Sequence, residues 1–133
     1  MSDEWQGPYQ FFPAEDMRCK GHAKGLCKCG GKLPKHSLMV ALVKLRMKVG
    51  SLPVSSGYRC PEYNAQVADT GLEGPHTTGL AVDLAVSHAK ALKCIIYAYE
   101  LGFRGFGVSQ KGNKRFLHLD FVPGRGEGVL WSY

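Results

Sequence analysis

The chain has 133 residues, of which 44% are hydrophobic and 21% charged, and a formal net charge of +6. That length suits one modest hydrophobic core rather than two, the composition is that of an ordinary soluble globular protein, and no apolar run approaches a membrane span, so no membrane partner is expected. The positive charge suits polyanions such as an anionic cell-wall polymer, or it is a solvated surface; only Lys111, Lys114 and Arg115 cluster, which is too little to argue for specific nucleic-acid binding.

Residues 1–33 read as an irregular arm with Pro8, Pro13 and a Gly/Lys/Cys-rich stretch from Cys19 to Gly31. The start, Met1-Ser2-Asp3-Glu4-Trp5, lacks the basic and apolar regions of a secretory signal, so synthesis in the cytoplasm without a signal peptide is expected. After Pro34, the residues Leu38, Leu42, Leu45 and Val49 form the stripe of a core-facing helix that Gly50 stops. A short strand over 52–55 follows, then a break at Gly57. Pro61 opens a second helix to about residue 69. Residues 71–79 read as a loop and 80–86 as an apolar strand interrupted by Asp83. Ser87 caps a third helix with a predicted buried stripe of Leu92, Ile95, Ile96 and Tyr99, ended by Gly102. Strands are predicted over 105–109 and 115–122, with an edge strand over 129–133. The sum is a single α+β domain over 1–133: arm 1–33, core 34–122, tail 123–133. It is a small antiparallel sheet with helices packed on one side, and a monomer is expected.

Three polar residues interrupt this pattern. Asp83 lies inside Leu80-Ala81-Val82-Asp83-Leu84-Ala85-Val86, where a charged carboxylate needs a cation or dense hydrogen bonding. His118 interrupts Phe116-Leu117-His118-Leu119-Asp120-Phe121-Val122, and His76 ends a Gly-Pro loop. Alone, each is as readily a satisfied structural residue. Together they are two imidazoles and a carboxylate, the donor set of a catalytic zinc that keeps its fourth position for water.

Gly74-Pro75-His76-Thr77-Thr78-Gly79-Leu80-Ala81-Val82-Asp83 resembles the Ser-x-His-x-x-Gly-x-Ala-x-Asp signature of the zinc D-alanyl-D-alanine metallopeptidases, relatives of the lysostaphin-type peptidases and the hedgehog domain. Phe116-Leu117-His118-Leu119-Asp120 resembles that family's last ligand strand, and Ser56-Gly57-Tyr58-Arg59, with Asn64 following, resembles its Ser-Gly-x-Arg segment. The motifs occur in family order over about residues 37–122. The resemblance implies a hedgehog/D-Ala-D-Ala-peptidase-like fold and one catalytic Zn2+ on His76, Asp83 and His118. It implies small packing residues at Gly79 and Ala81, and substrate contacts at Arg59, Ser56 and Tyr58. Arg59 then binds a substrate carboxylate or carbonyl, for which a guanidinium is suited, or it forms a structural salt bridge.

Two positions depart from the pattern. Gly74 replaces the usual serine. Arg115 stands where several branches place an acid as general base, and an arginine cannot accept a proton. Asp120 is two residues from His118 and shares its strand face. It can act catalytically, orienting water or taking its proton, or it can fix an imidazole. His88, Glu62 and Glu127 are the other candidates.

Five cysteines, an odd number, argue against a complete disulfide framework. Cys19, His22, Cys27 and Cys29, with Cys60, can supply a second, structural zinc site, a single bridge from the arm to Cys60, or free thiols. Cys94 reads as core. The resemblance implies a zinc peptidase acting on peptidoglycan stem peptides or cross-links, in phage or prophage lysis as an endolysin. Such an enzyme reaches the wall after release by a partner such as a holin. The competing reading is a weakly active or inactive zinc-containing module that binds cell-wall peptide.

Overall fold

The computed structural model describes Gly7 and residues 9–133. Four helices matter here: α1 (Ala14–Met17), α2 (His36–Val49), α3 (Pro61–Val67) and α4 (His88–Glu100). The strands are β1 (Val54–Ser56), β2 (Ala81–Leu84), β3 (Gly105–Ser109), β4 (Phe116–Asp120) and β5 (Val129–Ser132). The loop expected over 71–79 contains a 3-10 turn, Pro75–Thr78. Among the described residues, no helix is long and apolar enough to cross a membrane.

The strands form one sheet in the order β1-β2-β4-β3-β5. The first four pair antiparallel, but β5 lies parallel to β3, so the sheet is mixed rather than wholly antiparallel. The tail reaches β3 through the turn-rich stretch 121–128 and enters from the same end as β3 itself. The fold class, α+β, is as expected.

Alternation along the strands divides the sheet into two faces. Val82, Leu84, Phe106, Leu117 and Leu119 point to the core, where α2 contributes Leu38, Met39, Leu42 and Leu45. The predicted stripe of α2 is therefore present, with Val49 packed at its margin. The opposite face carries a row of residues in register across all five strands: Ser56, Asp83, His118, Gly107 and Trp131.

The stripe predicted for α4 is displaced. Ala91, Cys94 and Ala98 are the buried residues, whereas Leu92, Ile96 and Tyr99 are 60%, 50% and 46% exposed. The buried set follows i, i+3, i+7 spacing, and the predicted Leu92, Ile95 and Tyr99 repeat that spacing one residue further on. The smaller set faces inward because it lets α4 approach α2 and β4 closely. Ile95 alone of the predicted four packs against the core.

These assignments separate in denaturant melts. Leu42→Ala should cost about 2–5 kcal/mol of stability, as expected for a fully buried leucine. Leu92→Ser should change it by no more than about 0.5 kcal/mol, the scale of surface substitutions. A loss at Leu92 equal to that at Leu42 would restore the original stripe.

Candidate active site and metal centre

Asp83 is delivered to the site by β2, whose neighbours Val82 and Leu84 anchor the strand in the core. Register places it directly opposite His118 on β4. His76 arrives from the 3-10 turn. Pro75 starts that turn, the Thr77 hydroxyl donates to the Gly74 carbonyl at 2.7 Å, and Gly79 ends it in the left-handed region at φ 77°. The Ser56–Arg59 segment brackets the turn, with Arg59 N–H donating to the His76 carbonyl at 3.3 Å.

His76 Nε2 lies 3.2 Å and His118 Nδ1 3.0 Å from the same Asp83 oxygen, Oδ1. The donor atoms of the three residues lie within 4.8 Å of one another, and all three side chains are buried. Each ring is braced from outside. His76 Nδ1 is 2.8 Å from the Gly57 carbonyl, which can only accept, so that nitrogen carries the proton. His118 Nε2 is 2.7 Å from Asp120 Oδ2. The inner nitrogens, His76 Nε2 and His118 Nδ1, are thereby left facing Asp83. Burial pushes the Asp83 carboxyl up, but hydrogen bonds from His118 and His76 outweigh it and hold the carboxyl well below the usual range. Burial also pushes His118 down, and its bonds to Asp120 and Asp83 more than reverse this, so its pKa is raised.

Arg59 lies beside this group. Its Nη2 is 3.7 Å from Asp83 Oδ2, Nη1 donates to Asn64 Oδ1 at 2.9 Å, and Nε donates to Ser56 Oγ at 3.3 Å. Asn64 is 1% exposed and in turn donates to Thr70 Oγ1 at 2.8 Å and to the Gly71 carbonyl at 2.7 Å. Thr70 Oγ1 occupies the space that a side chain at residue 74 would need. The glycine that replaces the usual serine therefore makes room for a hydroxyl supplied from residue 70.

His76, Asp83, His118 and Arg59 line a cleft of about 680 Å³ with Asp69, Glu73, Phe116, Arg125, Trp131 and Tyr133. Several expected residues are elsewhere. Ser56 does not line this cleft and holds Arg59 instead, and Tyr58 packs against the arm cysteines. Arg115 and His88 contact each other at 3.3 Å and lie outside the cleft, as do Glu62 and Glu127.

Asp120 is 0% exposed and sits behind His118, on the ring edge opposite Asp83. Arg125 Nε donates to its Oδ1 at 3.2 Å and Nη2 to its Oδ2 at 2.8 Å, and Val122 N–H donates to Oδ1 at 3.2 Å. Of the two roles the sequence leaves open, this geometry favours fixing the imidazole, and Asp120 does not itself line the cleft. Arg125, Trp131 and Tyr133 were missed by sequence reasoning. Trp131 lies 5.1 Å from the His118 ring and under the Arg125 guanidinium, also at 5.1 Å. The one available signal was the pair of aromatics, Trp131 and Tyr133, at the end of the tail.

A family model described as peptidase M15 matches residues 10–120. The chain belongs to the peptidase M15 family. Membership implies a metallopeptidase hydrolase, and M15 peptidases are zinc-dependent. Comparisons with curated proteins and with solved structures found no match. The residues of this M15 chain fit the metal. In a tetrahedral zinc site with bonds of about 2.0–2.1 Å, donor atoms sit about 3.3 Å apart, close to the nitrogen–oxygen separations around Asp83.

Two outcomes follow. A proton on His118 Nδ1 competes with zinc for the same lone pair, and its raised pKa extends that competition above 6.5. Zinc affinity, measured by competition with a chelator, should therefore keep rising with pH above 6.5 and level off once His118 is neutral. Asp120→Asn should weaken zinc binding about 10–100-fold, as for other groups that orient a ligand. Unchanged zinc affinity with a collapsed kcat would instead make Asp120 the proton acceptor.

Proposed function

We propose that the protein is a zinc peptidase that hydrolyses amide bonds in peptidoglycan stem peptides or cross-links, at or near D-alanine, during phage or prophage lysis. On this reading its fold is of the hedgehog and D-alanyl-D-alanine peptidase type. It acts on the wall after a partner such as a holin releases it. The observation that carries the reading is the convergence of His76, Asp83 and His118 on the floor of a cleft with the Arg59 guanidinium beside them.

His76 Nε2, Asp83 and His118 Nδ1 are the groups that hold the metal. The chemistry zinc supplies when bound is Lewis acidity toward water and toward a carbonyl oxygen. Arg59, fixed by Ser56 and Asn64, binds a substrate carboxylate or steadies negative charge that develops on the scissile carbonyl. Phe116, Trp131 and Tyr133 form an apolar wall that orients the peptide and restricts water. Asp120 and Arg125 hold the His118 ring. Proton acceptance then falls to a carboxylate that faces the cleft. Besides Asp83, Asp69 and Glu73 are the two that line it among the described residues. The formal charge of +6 favours approach to an anionic wall.

A second reading, a zinc-containing module that binds wall peptide without turning it over, is kept by Arg115. It occupies the position of the acid found in several branches and is tied to Gly112 and His88.

Mass spectrometry of purified muropeptides before and after treatment separates the two. The peptidase reading expects loss of D-alanine or cleavage of a peptide cross-link. His76→Ala should lower kcat/KM by about a thousandfold, roughly 4 kcal/mol of lost transition-state stabilisation. Stoichiometric binding of muropeptides without any product would establish the binding module. Products cut only in the glycan would end both readings.

A further inference from the structure

The arm carries a second cluster, separate from the cleft. Cys19, Cys27, Cys29 and Cys60 bring their sulfurs within 4.8 Å of one another. Cys19 Sγ lies 3.8 Å from Cys27 Sγ, which is 3.6 Å from Cys29 Sγ. None of the four is in a disulfide. For a tetrahedron with zinc–sulfur bonds of about 2.3 Å, the sulfur–sulfur edge is about 3.8 Å. His22, grouped with these cysteines by sequence, is exposed and is not part of the cluster.

The surroundings supply amide donors to the sulfurs. Backbone N–H groups of Gly21 and Cys60 point at Cys19, that of Cys29 at Cys27, and those of Gly31 and Lys32 at Cys29. Tyr63 N–H donates to Cys60 Sγ at 3.4 Å. Each sulfur is thus an acceptor of at least one amide, the outer bonding that tunes and orients metal ligands. The chain from residue 18 to 32 contains Arg18, Lys20, Lys24, Lys28 and Lys32 and no acidic residue. Four thiolates around a divalent ion leave a net charge of −2, which this basic shell offsets. Gly30 and Gly31, at φ 79° and 75°, let the chain turn back directly after Cys29.

We propose that Cys19, Cys27, Cys29 and Cys60 form a second zinc site, a closed structural tetrathiolate that clamps the arm to the segment carrying Arg59. Metal binding converts four thiols to thiolates and releases their protons to solvent. Cys60 directly follows Arg59, and its sulfur caps α3, which holds Asn64 against the Arg59 guanidinium. The clamp therefore fixes the base of the turn from which Arg59 reaches the cleft. The proposal stands independently of the peptidase reading, because it concerns different ligands.

The test uses the full chain, purified under reducing conditions, stripped with a chelator and reloaded anaerobically with Zn2+ or Co2+ alone. Two zinc ions per chain are expected for the unaltered protein, and one for the double variant His76→Ala, His118→Ala. Cobalt in either protein should give the intense near-ultraviolet charge-transfer absorption of thiolate ligands, abolished by added zinc. The unaltered protein alone suffices for this readout if the double variant does not fold. Absence of the sulfur band, or a double variant that folds and takes up no metal, would each overturn the proposal.

Discussion

One buried carboxylate organises the rest of the site. Asp83 is 8% exposed and offers a single oxygen to two imidazoles. Leaving such a charge unpaired would cost several kcal/mol, so the fold must bring compensating groups to it. Register supplies His118 from the adjacent strand, and the proline-started turn supplies His76. Each ring then needs its own brace, and these come from the Gly57 carbonyl and from Asp120. Asp120, fully buried, needs a cation in turn, which Arg125 provides. The polar network thus extends outward from Asp83 until it reaches residues that water can partly solvate.

That network can exist only because the sheet separates its two duties. The face carrying Val82, Leu84, Leu117 and Leu119 holds the apolar core. The other face carries the charged row and must admit bulky partners without displacing them. β3 solves this by placing glycines, Gly105 and Gly107, beside Asp120 and Trp131. A Cβ at Gly107 would stand 2.6 Å from the Trp131 indole, and one at Gly105 would collide with the Asp120 carboxylate. The parallel docking of β5 against β3 is what brings Trp131 over Gly107 and beside His118. Core strength and site geometry therefore meet at a strand whose glycines leave room for the site.

Much of this was legible as interruptions of an apolar pattern. Asp83 and His118 each break a strand of core residues, and the Leu38, Leu42, Leu45 stripe fixed α2 unambiguously. The α4 stripe was misread because hydrophobicity favours Leu and Ile, whereas close helix packing favours Ala and Cys at the same spacing. Strand alternation placed Asp120 on the face of His118 but could not say which ring edge it meets. That choice depends on Arg125, five residues further on in a loop with no local periodicity. The resemblance of Ser56-Gly57-Tyr58-Arg59 to the Ser-Gly-x-Arg segment implies Tyr58 at the substrate. Adjacent residues in an extended segment point to opposite sides, and Tyr58 points to the thiols.

The same turn links the two clusters physically. Residues 56–60 are pinned on one side by Met17, whose carbonyl accepts the Tyr58 N–H at 2.8 Å, and on the other by the His76 carbonyl at 3.3 Å. Gly57 packs so closely on Met17 backbone that no larger residue fits. Among the described residues, the arm that supplies Met17 has little regular structure and, from residue 18 to 32, few apolar residues to bury besides its cysteines. Polar and hydrogen-bonded contacts, such as Gln66 to the Leu26 carbonyl at 2.7 Å, hold it to α3 only modestly. A small core leaves little stability to spare for ordering such a segment, and small domains commonly meet that need with a metal or covalent cross-link. An arm fixed at the thiols fixes Met17 and Cys60 together, and with them the angle at which Arg59 enters the cleft. Precision at the substrate end of the site therefore depends on order in a segment that contributes no residue to the cleft.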